Sequence, residues 1–415
     1  MHLHLHSTSG ISGDMLVGGF LSLGLPLDFL QEQLEKLNLK GWEISQKSVE
    51  KLGVPAIQFE VAYEEQNHHR HLKDILEILG KSKLSPKAKS IAEDLFQSLG
   101  RAESSVHQVP IEEVHFHEVG AVDTIIDIVS IAIALEYFEI ESVSSSTIVE
   151  GVGKVRFSHG ECDLPVPAVR ELLGDIPLQR FSVSTELVTP TGAVFLQRFV
   201  ECFSDLSPLL QPRKGVGCGT KDLHHPNVLE LQLSEQRLIA EEIIKLEANV
   251  DDLSPQLLAS CIEKALTAGA LDGWASPVFG KKGRIGQQLV LLCLEKDRDL
   301  LLKILLKESG SFGVRVQTVQ RLKLDSKHEN FSTEWGNISM RSGFLGKECW
   351  QWKPEHRDIV TAADRTGQPP LLIETQVRQA WGANCCCQGN QNDSVRGFKA
   401  TQHSLGGYQS SPGGL

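Results

Sequence analysis

No run of apolar residues in this 415-residue chain approaches the roughly 18 that a membrane span needs. Residues 15–27 are apolar but lack the basic flank and cleavage site of a secretory signal. Positive charge is in short supply: 41 Lys and Arg stand against 53 Asp and Glu. The resulting net charge of −12 argues against a nucleic-acid partner. Neither the P-loop nor the Rossmann spacing of glycines occurs. A disulfide framework is missing too. Cys162, Cys202, Cys218, Cys261, Cys293 and Cys349 stand singly, and Cys385, Cys386 and Cys387 are adjacent. These absences point to a cytoplasmic protein of two or three domains, with no nucleic-acid and no membrane partner.

What the chain does have is metal-binding chemistry concentrated in residues 114–127, Val-His-Phe-His-Glu-Val-Gly-Ala-Val-Asp-Thr-Ile-Ile-Asp. Imidazole nitrogens and carboxylate oxygens are the ligands that divalent transition metals use. His115 and His117 lie two apart, so on a strand they share a face, with Glu118 following. Asp123 and Asp127 lie four apart, so on a helix beginning near Val122 they share a side. The plainer alternative is histidines satisfied by backbone and aspartates offsetting a helix N-terminus. Histidine also clusters at His68, His69 and His71 around Arg70, and at His2, His4 and His6 along the first strand. That last trio would share one face, which suits a metal and suits a solvated strand edge equally. The loop Ser7-Thr-Ser-Gly-Ile-Ser-Gly13 feeds a helix from near Asp14 and either holds an anion or simply turns.

Periodicity predicts helices over 27–38, 71–102 and 122–138, with Ser85-Pro86 opening a second helix inside the middle stretch. Strands are expected over 42–63, broken at Gly53-Val54-Pro55, and the Gly-rich stretch 146–160 reads as extended. Pro165 and Pro167 precede a helix through Leu173, and Thr189-Pro-Thr-Gly192 precedes another. The polar stretch 232–242 reads as a linker. Beyond it come strand 243–250, helix 255–268, strands 271–279 and 288–294, helix 297–307 and strand 313–319, a βαββαβ order. A hairpin is expected over 328–346. The fold class is therefore α+β: a larger His-rich α/β domain over 1–235, a smaller ferredoxin-like βαββαβ domain over 240–380, and a disordered tail over 381–415.

The smaller domain has a constellation of its own. Asp251 and Asp252 end its first strand as hard oxygen ligands suited to Mg²⁺ or Mn²⁺ beside phosphates, unless one merely caps the helix before Pro255. Lys281, Lys282 and Arg284 sit among Gly280, Gly283 and Gly286, where cations and a closely approaching backbone suit phosphate binding. A solvated basic turn is the simpler alternative.

Together these residues resemble the nickel-pincer cofactor nickel-insertion family, LarC. The resemblance covers roughly residues 1–380 and runs through Gly10-Ile-Ser-Gly-Asp-Met15, His69-Arg-His-Leu72, 114–123, His159-Gly160, Pro165-Val-Pro167, 186–192, Pro226-Asn227, 247–252 and 281–284. It implies a lyase-type cyclometallase. Such an enzyme consumes CTP, with Mg²⁺ or Mn²⁺, to place nickel into pyridinium-3,5-bisthiocarboxylic acid mononucleotide through one nickel–carbon and two nickel–sulfur bonds. The product serves lactate racemase and related enzymes, so transfer to such an apoenzyme is implied, and a homo-oligomer is compatible with it. On this reading His69, His71, His115, His117, Glu118, Asp123, Asp127, Asp251 and Asp252 hold metal, and Lys281, Lys282 and Arg284 hold nucleotide. Three departures stand out: His6 where the family carries Asp, the altered block Lys353-Pro-Glu-His-Arg-Asp358, and residues 384–415, which have no family counterpart. A nickel store or chaperone, or a two-metal phosphohydrolase, would use the same histidines and aspartates.

Overall fold

The computed structural model describes residues 1–63, 70–114, 116, 122–157, 160–280 and 283–384. Strand β1 (His2–Ser7) sends Leu3 and Leu5 into the main core. Helix α1 (Gly13–Ser22) is apolar nearly all round and is accordingly sunk in protein, with only Asp14 and Ser22 outside its buried set. Helix α2 (Leu27–Glu35) is amphipathic and buries Leu30 and Leu34. Strands β2 (Trp42–Lys51) and β3 (Val54–Tyr63) form a hairpin that reverses at Leu52 and Gly53, both at positive φ. Helices α3 (Leu72–Lys81) and α4 (Pro86–His107) follow. Ser85 starts α4 by accepting the Ala88 amide at 3.0 Å, and Pro86 fills the first turn. Helix α5 (Val122–Tyr137) is a run of buried Ile, Val, Ala and Leu in which Asp123 and Asp127 stand out.

Shorter elements come next: β4 (Ser142–Ser145), β5 (Ile148–Glu150), β6 (Lys154–Phe157), β7 (Gly160–Asp163), α6 (Pro167–Leu173) and β8 (Leu178–Arg180). Helix α7 (Pro190–Phe199), capped by Thr189, leads to β9 (Val200–Phe203), β10 (Arg213–Cys218) and β11 (Val228–Ser234). Seven strands make one mixed sheet in the order β2-β3-β10-β11-β1-β4-β9. β1 is antiparallel to β11 and parallel to β4, so it is an interior strand. The solvated edge that alternating histidines suggested is therefore ruled out. His2 and His4 are 4% and 1% exposed, and only His6 of the trio reaches solvent.

The βαββαβ order appears as β12 (Ile239–Val250), α8 (Pro255–Thr267), β13 (Asp272–Phe279), β14 (Ile285–Cys293), α9 (Arg298–Ser309) and β15 (Arg315–Lys323). The four strands lie in the order β13-β14-β12-β15, each antiparallel to its neighbour. Ile244, Leu246, Leu289 and Leu291 meet Leu258, Cys261, Leu301 and Leu305 of the helices in a core of their own. β12 begins at Ile239, four residues before its apolar pattern, because charge continues the pairing. Glu241 is held by Arg321 and Lys323, and Glu242 accepts from Gln320 at 3.0 Å. Only residues 235–238 separate β11 from β12, so most of the stretch read as a linker is strand.

By contact density the chain divides into Met1–Asp325 with Leu345–Lys347, and Ser326–Phe344 with the chain from Glu348 on. The second unit is a meander of β16 (Asp325–Thr333), β17 (Gly336–Leu345) and β18 (Glu348–Pro354), followed by α10 (His356–Thr366) and α11 (Pro370–Asn384). The hairpin expected over 328–346 is thus two strands of three. Helix α11 continues past 381, where a tail was expected, since Trp381 is buried and packs edge-on against Phe331. Residues 385–415, with Cys385, Cys386 and Cys387, lie outside the described residues. Among the described residues no helix is long and apolar enough to cross a membrane.

Candidate functional site

The starts of three helices converge on one cleft. Ser12, Gly13 and Asp14 come from α1, Asp123, Thr124 and Asp127 from α5, and Thr189, Pro190 and Thr191 from α7. Their cavity of about 400 Å³ is walled by Phe59, Glu60 and Val61 of β3 and by Glu186 and Thr220. A recess of about 100 Å³ beside it shares Ser12, Asp14, Glu186, Thr189 and Thr220 and adds Lys221 and Asn227.

Two glycines make the convergence possible. Gly10 has φ +82°, and a Cβ there would lie 2.1 Å from the Leu187 carbonyl oxygen. This contact lets Ile11 donate to Leu187 O at 3.0 Å and accept from the Thr189 amide at 3.1 Å. A Cβ on Gly13 would lie 2.4 Å from an Asp127 carboxylate oxygen, so α1 can start against α5 only without a side chain.

The cleft concentrates negative charge in a place that disfavours it. Asp14 accepts from the Ser12 hydroxyl, yet burial keeps its carboxyl above the usual range. Burial raises Asp123 as well, although its carboxylate accepts the Thr124 amide at 2.8 Å. Asp127 is raised furthest, first by burial and then by the charges of Asp14 and Asp123. No donor among the described residues serves it. The three helix N-termini contribute partial positive charge, which offsets part of this cost.

In the four-stranded unit, Asp251 and Asp252 follow β12, and Arg284 donates to Asp251 across 2.9 Å. The Gly280 amide donates to the Arg284 carbonyl at 2.8 Å and closes the turn. Ser254 caps α8 by accepting the Leu257 amide, so neither aspartate is spent on capping. Arg315 of β15 donates to Glu247 at 2.7 Å and to Asn249 at 2.8 Å, fastening the strand that carries the pair.

A family described as nickel insertion protein matches residues 3–373. The chain belongs to the nickel insertion protein family. The pyridinium-3,5-bisthiocarboxylic acid mononucleotide nickel insertion protein of Staphylococcus epidermidis is 35% identical over 378 residues, covering 91% of this chain and 96% of the relative. A putative nickel insertion protein of Wolinella succinogenes is 38% identical over 362 residues, covering 86% and 91%. Among solved structures, LarC2, the C-terminal domain of a cyclometallase, covers 35% of this chain and 99% of its own, at 28% identity and a TM-score of 0.33.

The fold brings Asp123 and Asp127 into one cleft and sets Arg284 beside Asp251. His71 lies at the start of α3, where its amide donates to Asp74 at 2.9 Å, and it does not line the cleft. His69, His115, His117, Glu118, Lys281 and Lys282 lie outside the described residues. Their neighbours Val114 and Phe116 are buried but belong to no strand. The Phe116 amide donates to Arg70 O at 3.4 Å. Among the described residues no three His, Cys, Asp or Glu side chains are close enough to hold a metal ion unaided.

His2 and His4 do not line the cleft, and alternation along β1 sets them on the opposite face from Leu3 and Leu5. His2 hydrogen-bonds to the hydroxyls of Ser142 (2.6 Å) and Ser144 (2.8 Å), and His4 to that of Ser144 (2.9 Å). Burial is the main reason that His2 falls to about 3 and His4 to about 4. Asp14, Glu186 and Lys221 were not foreseen as site residues. Glu186 and Asp14 belong to motif blocks, but nothing in their spacing tells that two loops meet. Gly13→Ala is expected to displace Asp127 and weaken nickel binding in an equilibrium titration by about tenfold or more. Unchanged affinity would mean that α1 and α5 part without consequence.

Proposed function

We propose that the protein inserts nickel, as a substrate, into pyridinium-3,5-bisthiocarboxylic acid mononucleotide at the Asp14–Asp123–Asp127 cleft, and consumes CTP at the Asp251–Arg284 turn. The observation that carries this reading is Asp127, which lines the cleft together with Asp14 and Asp123 and has no hydrogen-bond donor among the described residues. Oxygen ligands bind nickel less tightly than sulfur does, so such a cleft would yield the ion to the thiocarboxylates of the substrate. His115, His117 and Glu118 precede α5 directly in sequence and would complete the ligand set, with His69 and His71 in reserve.

The four-stranded unit is read as a ferredoxin-like nucleotide-binding domain. Asp251 and Asp252 would hold Mg²⁺ or Mn²⁺, which neutralises triphosphate charge. Lys281, Lys282 and Arg284 would grip the phosphates, Arg284 exchanging its partner Asp251 for them. Delivery of the product to a lactate-racemase-type apoenzyme follows from the same reading. A nickel store would have no use for the paired aspartates and arginine of the turn.

The test is nickel incorporation into the bisthiocarboxylate mononucleotide by purified protein with CTP, with ATP and without nucleotide. Product formed only with CTP, and lost in Asp251→Ala, is the expected result. Tight nickel binding with no nucleotide-dependent product would instead identify a store.

A further inference from the structure

Glu150 ends β5 with its side chain wholly buried. One carboxylate oxygen accepts the amides of Gly151 at 2.7 Å and Leu187 at 3.0 Å. The other oxygen is buried as well, and the backbone at Val188 lies close enough to favour the ionised carboxyl. Burial pushes the carboxyl above its ordinary range, opposed first by the backbone amides of Leu187, Gly151 and Val188 and last by the Arg180 guanidinium. An acid is a costly group to keep in such a place, since an apolar side chain would fill the space without that cost. Its use is in what it holds.

Leu187 lies in the arm 185–189, which supplies Glu186 and Thr189 to the cleft wall and then starts α7. Several fastenings among the described residues hold this arm. Ile11 pairs with it through Leu187 O and the Thr189 amide. Lys221 donates to Glu186 O at 2.9 Å. Glu150 takes the Leu187 amide from behind. The fit on the Glu150 side is tight: a Cβ on Gly151 would lie 2.0 Å from the Thr185 carbonyl oxygen. The first two fastenings come from the loop before α1 and the loop after β10. Glu150 ties the arm to β5, a strand that does not line the cleft.

We propose that Glu150 is a positioning residue for nickel insertion, setting the 185–189 wall against Asp14 through the Leu187 amide. This rests on the cleft being the nickel site. Glu150 touches no substrate itself; it decides where Glu186 and Thr189 stand.

The experiment compares Glu150→Gln and Glu150→Ala, measuring nickel affinity by titration, turnover per bound nickel, and unfolding midpoint. Glutamine keeps an acceptor oxygen in place and is expected to retain most of the turnover. Alanine releases the arm and is expected to lower kcat by roughly ten- to a hundredfold, with a smaller effect on KM for the mononucleotide. A merely structural role would lower the folded fraction and leave turnover per bound nickel unchanged, and that result overturns the proposal. So does a glutamine variant as impaired as alanine. If alanine prevents folding, Glu150→Asp withdraws the oxygens by one methylene. Reduced turnover in a folded aspartate variant supports the proposal, and full turnover sinks it. Should the unmodified protein insert no nickel, the titration still separates the two ideas. Weakened nickel binding in the folded alanine variant would keep the positioning role while the insertion reading fails, and unchanged binding would end both.

Discussion

Asp127→Asn is expected to abolish nickel insertion and, in the same molecule, to raise the melting temperature at neutral pH. The two effects have one cause. Asp127 sits deep in the cleft with Asp14 and Asp123 for neighbours, and its carboxyl is raised well above the usual value. Between the ordinary carboxylate value and the raised one, the folded protein holds a proton that the unfolded chain has lost. Stability therefore falls as pH rises through that window, and above it the full penalty is present. Asparagine has the same shape and carries no charge, so the penalty disappears. On the proposed reading it also removes an anionic ligand oxygen, and a loss of more than about 100-fold in nickel affinity is expected. Nickel binding by the unmodified protein should likewise weaken as pH falls into the window, since protons compete for the same oxygen. Thermal melts without metal, set beside nickel titrations, check both halves. A variant that is less stable yet still active would show that Asp127 is an ordinary structural acid.

The second large effect belongs to the other face of the same sheet. His2 and His4 are held neutral, at about 3 and about 4, by burial on an interior strand. Their unfolded-state value is 6.5, so between that pH and the depressed values the unfolded chain binds more protons than the folded one. Stability is intact above about 6.5 and drains away as pH falls toward 4 and then 3. At about 1.4 kcal/mol per pKa unit, the pair contributes on the order of several kcal/mol. Arg237 faces His2 and adds to the effect, whereas Glu230 and Asp205 near His4 work against it. Urea midpoints should therefore drop steeply between pH 6.5 and 4.5. His2→Gln with His4→Gln should flatten that slope, because glutamine can still bond to the serines and takes up no proton. A flat profile in the unmodified protein would contradict this account.

Helix starts were the most legible part of this fold. Ser85-Pro86, Thr189-Pro190 and Ser254-Pro255 each combine a capping hydroxyl with a proline that needs no donor, and each begins a helix where that chemistry requires. Asp123 and Asp127 were legible for a similar reason, since spacing along one helix fixes a shared side. Asp14 and Glu186 were not, because their meeting depends on the close approach at Gly10 and Gly13, a tertiary fact without a periodic signature. Alternation placed His2 and His4 on one face correctly, but it carries no information about which strands flank β1. The polar start of β12 was misread because cross-strand ion pairs extend a strand without any apolar alternation.

The serine that joins those histidines has one proton to give. Ser144 lies within bonding distance of His2 Nε2 and His4 Nδ1, so it donates to one ring and must accept from the other. Beyond His2, the Ser142 hydroxyl also accepts from Arg237 at 2.8 Å. The file from Ser142 to His4 thus has two polarities. In one, every proton points toward His4, leaving an N–H on its far nitrogen. In the other, every proton points back, and the far nitrogen carries a lone pair. That nitrogen is buried and unpartnered among the described residues, so whatever meets it selects the tautomer of both rings together.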